Sequence, residues 1–214
     1  MELFILCFEL IGTVAFALSG AMKSFVKEMD IFGSCILALT TAVGGGIIRD
    51  LILGATPPAA FVAPTNALIA IGIAIIAFIP AIRSRLTKST KIYENTLLIA
   101  DSAGLGIFTV CGMAVTINLG YGDNLFLTLF TAVLTGVGGG VLRDIFAGDR
   151  PYIFIKHIYA CASLVGAGVC RLLWNVLGPN VSMLIGFAVI IVIRLCSAKF
   201  RWSLPKASAP VEKD

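Results

Sequence analysis

The sequence predicts an all-α integral membrane protein of seven transmembrane helices, built as two inverted three-helix repeats followed by a seventh helix. Three observations carry this prediction. The chain is 58% hydrophobic and only 13% charged, against about 25% charged residues in a soluble domain, and its mean hydropathy is +1.00. Apolar runs of the ~20 residues needed to cross a bilayer recur along its 214 residues. The stretch TAVGGGIIRDLILG at 41–54 returns as TGVGGGVLRDIFAG at 135–148, with the glycines, the Arg-Asp pair and the closing glycine at the same spacing.

The seven runs are residues 3–22, 31–53, 61–82, 93–116, 124–147, 153–176 and 180–197. Short connectors with turn chemistry separate them: KEMD at 27–30, GATPP at 54–58, NLGYGDN at 118–124, GDRP at 148–151 and GPN at 178–180. No linker divides the chain, so residues 1–205 form one transmembrane domain, with repeat 1 at about 1–85, repeat 2 at about 92–177 and the seventh helix at about 180–197. Residues 206–214 are polar and read as a disordered cytoplasmic tail. AFALSGA at 15–21 resembles a signal-peptidase site, but MELFILCFEL has no basic n-region before Lys23, so the first run reads as a retained span.

Function classes fall away on the same grounds. Cys7, Cys35, Cys111, Cys161, Cys170 and Cys196 are scattered singly with no CxxC, and read as small apolar residues. The single histidine, His157, sits beside Lys156 at the start of an apolar run and reads as interfacial. Without HExxH, GxSxG or a second histidine, an intramembrane enzyme lacks its parts. No cofactor, structural metal or nucleic-acid partner is expected.

The repeat organises the chain. Gly44, Gly45 and Gly46 align with Gly138, Gly139 and Gly140, Arg49 with Arg143, Asp50 with Asp144, Gly54 with Gly148, Pro57 with Pro151 and Gly72 with Gly166. A shift of two residues aligns Glu9 with Asp101, Gly12 with Gly104, Phe16 with Phe108, and Gly20 with Gly112. Three spans per copy is odd, so the second copy enters the membrane from the opposite side. Inverted repeats of this kind serve solute movement, with sites near the midplane. Lys23, Lys27, Arg83, Arg85, Lys88, Lys91, Arg150, Lys156, Lys199, Arg201, Lys206 and Lys213 gather on one side, while GATPPAA and NLGYGDN carry no Lys or Arg. The positive-inside rule makes that side cytoplasmic, with the N-terminus outside and the C-terminus inside.

Both triads lie somewhat past mid-span. Three consecutive glycines invite a kink or a locally unwound turn that frees carbonyl oxygens. In a bilayer such groups must be paired or must line a cavity; the competing role is close helix packing. Among the ionisable residues that the repeat aligns, Arg49 and Arg143 stand against Glu9, Asp50, Asp101 and Asp144, a net charge of −2 that would draw cations. Arg49 and Arg143 lie near span ends, where snorkelling to the headgroups is the alternative. Depth pairs Glu9 with Arg49 in the outer half and Asp101 with Arg143 in the inner half. Adjacent helical residues diverge by about 100°, so Asp50 and Asp144 are expected to remain uncompensated.

The doubled GGGxxRD on the second helix of each repeat, with a seventh helix, resembles the trimeric intracellular cation (TRIC) channel family in its bacterial branch. The resemblance implies a homotrimer in the bacterial plasma membrane, one pore per protomer lined by glycine-kinked second and fifth spans, and conduction of monovalent cations, chiefly K+ and also Na+, with transient K+ near the glycine carbonyls. Membrane lipids are the other expected partners. Animal members carry a Lys-containing, lipid-associated motif where this chain has IIRD and VLRD. The same family is also described as glycine transporters, so a carrier for a small zwitterion stays beside the channel as an alternative. A membrane scaffold would leave the matched acids unexplained.

Overall fold

The computed structural model describes residues 2–155 and 158–202; Lys156, His157 and the tail 206–214 lie outside them. The described chain is helical in α1 Glu2–Val26, α2 Ile31–Ile52, α3 Ala59–Val62, α4 Thr65–Phe78, α5 Pro80–Leu86, α6 Thr90–Thr116, α7 Leu125–Phe146, α8 Tyr152–Ile155, α9 Tyr159–Leu177 and α10 Pro179–Lys199. A π-helical turn, Ile117–Tyr121, extends α6. Six of these helices, α6 counted with its extension, are long and apolar enough to cross a membrane. The third predicted span is broken: α4 and α5 meet at an angle of 85°, and only if they count as one span does the number reach seven. Pro80 explains the break. It lacks an N–H, and its ring pushes Ile79 out of the helical region to ψ 129.

Local chemistry starts and stops the long helices in matching ways. Asp30 caps α2 by accepting from Gly33 N–H at 2.7 Å, and Asn124 caps α7 by accepting from Leu127 N–H at 3.0 Å. After α2 the chain turns at Gly54 (φ 71°), and after α7 at Gly148 (φ 70°), a left-handed conformation that glycine takes without a Cβ penalty. Ala55 N–H returns to the Asp50 carbonyl and Asp149 N–H to the Asp144 carbonyl, both at 2.9 Å.

At the centre α2 packs on α7. Helix α1 packs on α2, α4 and α6; α6 packs on α7 and α10; α9 joins α10 and α7. Small side chains make this possible: Ala17, Ala21, Ala38, Ala70 and Ala74 are fully buried, and Phe16 packs among them. The outer surface is apolar, with Leu3, Phe32, Phe126 and Leu172 each more than two-thirds exposed. Such a surface suits a hydrocarbon solvent.

The triads do not unwind. Helices α2 and α7 run unbroken through Gly44–Gly46 and Gly138–Gly140. What the glycines remove is bulk at the crossing. A Cβ on Gly45 would run into the Thr135 carbonyl oxygen, and a Cβ on Gly139 into that of Thr41. Close approach, not a broken helix, is what these positions require.

Candidate functional site: two charged clusters across a glycine crossing

The first cluster forms where α2 ends. Arg49 and Asp50 are 6% and 3% exposed. Arg49 Nε and Nη2 donate to Asp50 Oδ1 at 2.9 and 2.7 Å, and Asp50 Oδ2 accepts from the Ala59 N–H at 2.9 Å. Beside them opens a cavity of about 160 Å³ lined by Glu9, Gly46, Arg49, Asp50, Asn66 and Phe108, among others. Glu9 is half-buried there and makes no ion pair among the described residues.

The second cluster repeats the pattern at the end of α7 and adds to it. Arg143 and Asp144 are fully buried. Arg143 Nε donates to Asp144 Oδ1 at 2.9 Å, and Asp144 Oδ2 accepts from the Tyr152 N–H at 2.9 Å. Arg143 Nη1 also donates to Ser19 Oγ on α1 and, at 2.7 Å, to Asp101 Oδ1 on α6. The Tyr159 hydroxyl donates to the same Asp101 oxygen at 3.2 Å. Arg194 of α10 places Nη2 3.5 Å from Asp101 Oδ2 and lays its guanidinium over the Tyr159 ring at 4.7 Å. A larger cavity, about 420 Å³, has Tyr93, Glu94, Asp101, Tyr152 and Arg194 in its lining.

Several sequence expectations are corrected here. The Asp101–Arg143 pair forms, but Arg49 bonds to Asp50 and not to Glu9. Asp50 and Asp144 are not uncompensated: each is held by the arginine that precedes it. The Cβ directions do diverge, but an arginine side chain is long enough to fold across the helix surface. Burying an unpaired guanidinium or carboxylate costs far more than that bend. Nor does the interior carry a surplus of −2. Buried Arg49, Arg143 and Arg194 match buried Asp50, Asp101 and Asp144 one for one, leaving half-buried Glu9 as the one surplus acid of that set, while Lys23 pairs with Asp149. Arg194 was missed because it lies outside the duplicated frame. The one signal available was an arginine inside the apolar run MLIGFAVIIVIRLCSA.

The two clusters sit at different depths. Glu9 and Ser19 are ten residues apart on α1, about 15 Å at the helical rise. Between them the rings of Phe16 and Phe108 stack with centroids 5.3 Å apart. Gly12 faces Phe108 and Gly104 faces Phe16, while the α2–α7 crossing closes the space beside them. A third group of charges ties down the turn after α7: Asp149 Oδ2 lies 2.6 Å from Lys23 Nζ and Asp149 Oδ1 2.6 Å from Lys27 Nζ. Hydrogen bonds from these two ammonium groups hold the Asp149 carboxyl below its ordinary value. Among the described residues no group of His, Cys, Asp or Glu is placed to hold a metal ion.

Long apolar helices that bury two charged clusters at different depths define a multi-pass membrane protein. Comparison with known proteins agrees. The model of the glycine transporter family matches residues 6–81 and again residues 98–175. The UPF0126 membrane protein YvgT of Bacillus subtilis is 35% identical over 94% of this chain and 95% of its own. A TRIC cation channel solved to explain conductance is 32% identical, covers 96% of this chain and 98% of its own, and superposes with a TM-score of 0.84. The TRIC trimeric intracellular cation channel orthologue from Rhodobacter sphaeroides is 31% identical over 92% of this chain and 98% of its own, with a TM-score of 0.83. This chain belongs to the TRIC cation channel family, known also as the glycine transporter or UPF0126 family. It is a family of membrane conduits, not of enzymes.

Proposed function

We propose that the protein is a potassium-permeable monovalent cation channel, a homotrimer with one pathway per protomer, in the plasma membrane of a bacterium. The observation that carries this reading is the pair of cavities that reach buried or half-buried acids, one at Glu9 beside Arg49 of α2 and one at Asp101, the partner of Arg143 of α7. The pathway runs past Glu9, Arg49 and Asp50, alongside the crossing of Gly44–Gly46 with Gly138–Gly140, and past Asp101, Arg143 and Asp144. Glu9, without an ion pair, supplies the negative charge at one mouth. The two halves are inverted repeats, with the N-terminus outside and the C-terminus inside. Their reciprocal contacts support this: Gly45 meets Thr135 as Gly139 meets Thr41, and Gly12 meets Phe108 as Gly104 meets Phe16. The solved relatives are cation channels, one of them called trimeric.

The family's other description favours a second reading, a carrier for glycine or a similar small amino acid. Planar-bilayer recording of the purified protein in KCl and NaCl, alongside glycine uptake into proteoliposomes, separates the two. Discrete single-channel currents support the channel. Saturable glycine uptake without such currents replaces it with the carrier.

A further inference from the structure

We propose that Arg194 determines the charge preference of the cavity at Asp101, so that the seventh helix supplies a pathway residue that neither repeat contains. The inference rests on the channel reading above. Its basis is the unequal treatment of the two oxygens of Asp101. Oδ1 is secured by Arg143 at 2.7 Å and by the Tyr159 hydroxyl at 3.2 Å. Oδ2 faces Arg194 Nη2 at 3.5 Å, beyond a good hydrogen bond, and is buried without a hydrogen-bond partner among the described residues. Arg194 Nε is likewise buried without one. The guanidinium is positioned mainly by stacking on Tyr159, at 4.7 Å.

The difference from the network around Arg143 is chemical. Arg143 is the shared centre of Asp101, Asp144 and Ser19, and cannot leave without stranding buried carboxylates. Among the described residues Arg194 has a single, loose ionic partner. Among the described residues that line the cavity, Glu94 and Asp101 are acidic and Arg194 alone is basic. Removing Arg194 therefore takes one positive charge from the lining and frees Asp101 Oδ2 to face a passing cation, while Oδ1 stays paired with Arg143. In a low-dielectric cavity a single unit charge a few ångströms from the path outweighs the distant surface charges. The opposite cavity has no equivalent: Glu9 occupies the aligned position, and no residue of α10 lines that cavity.

The test is reversal potential and unitary conductance in planar bilayers under a KCl gradient, for wild type, Arg194→Gln and Arg194→Lys, each first checked for monodispersity. Arg194→Gln is expected to raise the potassium-to-chloride permeability ratio about three- to tenfold, the scale of one unit charge near the path, and to raise unitary conductance. Arg194→Lys, which keeps the charge, should stay near wild type. A monodisperse Arg194→Gln protein with wild-type reversal potential and conductance overturns the proposal, as does a glutamine variant less selective for cations. Aggregation of both variants also overturns it, because it makes Arg194 a folding residue. A wild-type protein that passes no current removes the channel reading, and with it the pathway.

Discussion

Gly45 of α2 lies directly against the main-chain carbonyl of Thr135 on α7, and the aligned Gly139 lies against that of Thr41. Each helix presents its glycine to the other's backbone, so two spans approach as closely as side-chain-free surfaces allow. The charged clusters hang from the far ends of these same two helices.

Substitution at the crossing should cost stability as well as current. Gly45→Ala and Gly139→Ala each place a Cβ against a carbonyl oxygen that belongs to backbone and cannot swing aside. Overpacking of this kind costs about 1–3 kcal/mol, offset by the ~1 kcal/mol that alanine gains over glycine in a helix. Both variants should melt lower than wild type by similar amounts. At Gly46 a Cβ would meet nothing closer than Arg49 Nη2 at 3.8 Å. Gly46→Ala should therefore melt at or above wild type, and any change in its current reports on the pathway. Equal melting temperatures for all three variants would remove the close-approach explanation.

The buried network around Arg143 predicts a folding defect. Arg143→Met leaves Asp101 without its 2.7 Å partner and Asp144 without its arginine, in a fully buried setting. Breaking a buried ion pair from one side costs about 3–5 kcal/mol. The variant should give little monodisperse protein, whereas Arg49→Met should be milder, because Asp50 keeps the Ala59 N–H and borders a cavity. Comparable yields of the two by size-exclusion chromatography would show the halves to be energetically alike.

A pH-dependent contribution is expected at Asp149. Its carboxyl titrates below the ordinary value of 3.8 because Lys23 and Lys27 hydrogen-bond to the charged form. A depressed folded-state value adds stability above the ordinary value and loses it as pH falls through the folded one. Wild type should accordingly melt above Asp149→Asn at neutral pH, and the gap should close as pH drops below about 3.8. A gap that persists unchanged through that range would mean the ion pairs contribute nothing.

Orientation is open to direct labelling. In a cysteine-free background, a cysteine at Tyr121, in the turn before α7, should react with an impermeant reagent from outside intact cells. One at Lys88, between α5 and α6, should react only after permeabilisation. The opposite pattern would invert the proposed topology.

Composition, span length and the doubled GGGxxRD motif were enough to establish an all-α membrane fold and the family. Hydropathy and repetition are one-dimensional quantities, and both survive in a linear string. The Asp101–Arg143 pair was legible too, because depth along two aligned spans constrains which charges can meet. Other features depended on three-dimensional packing. Continuous helices through the triads, Arg49 turning to Asp50 instead of Glu9, and Arg194 reaching Asp101 from α10 all follow from side-chain reach and from which helices become neighbours. A glycine string reads the same whether it unwinds or packs; only the carbonyls of Thr41 and Thr135, brought across from the partner helix, decide that it packs. Likewise, a buried charge takes whichever partner is nearest in space, and tertiary packing set that distance.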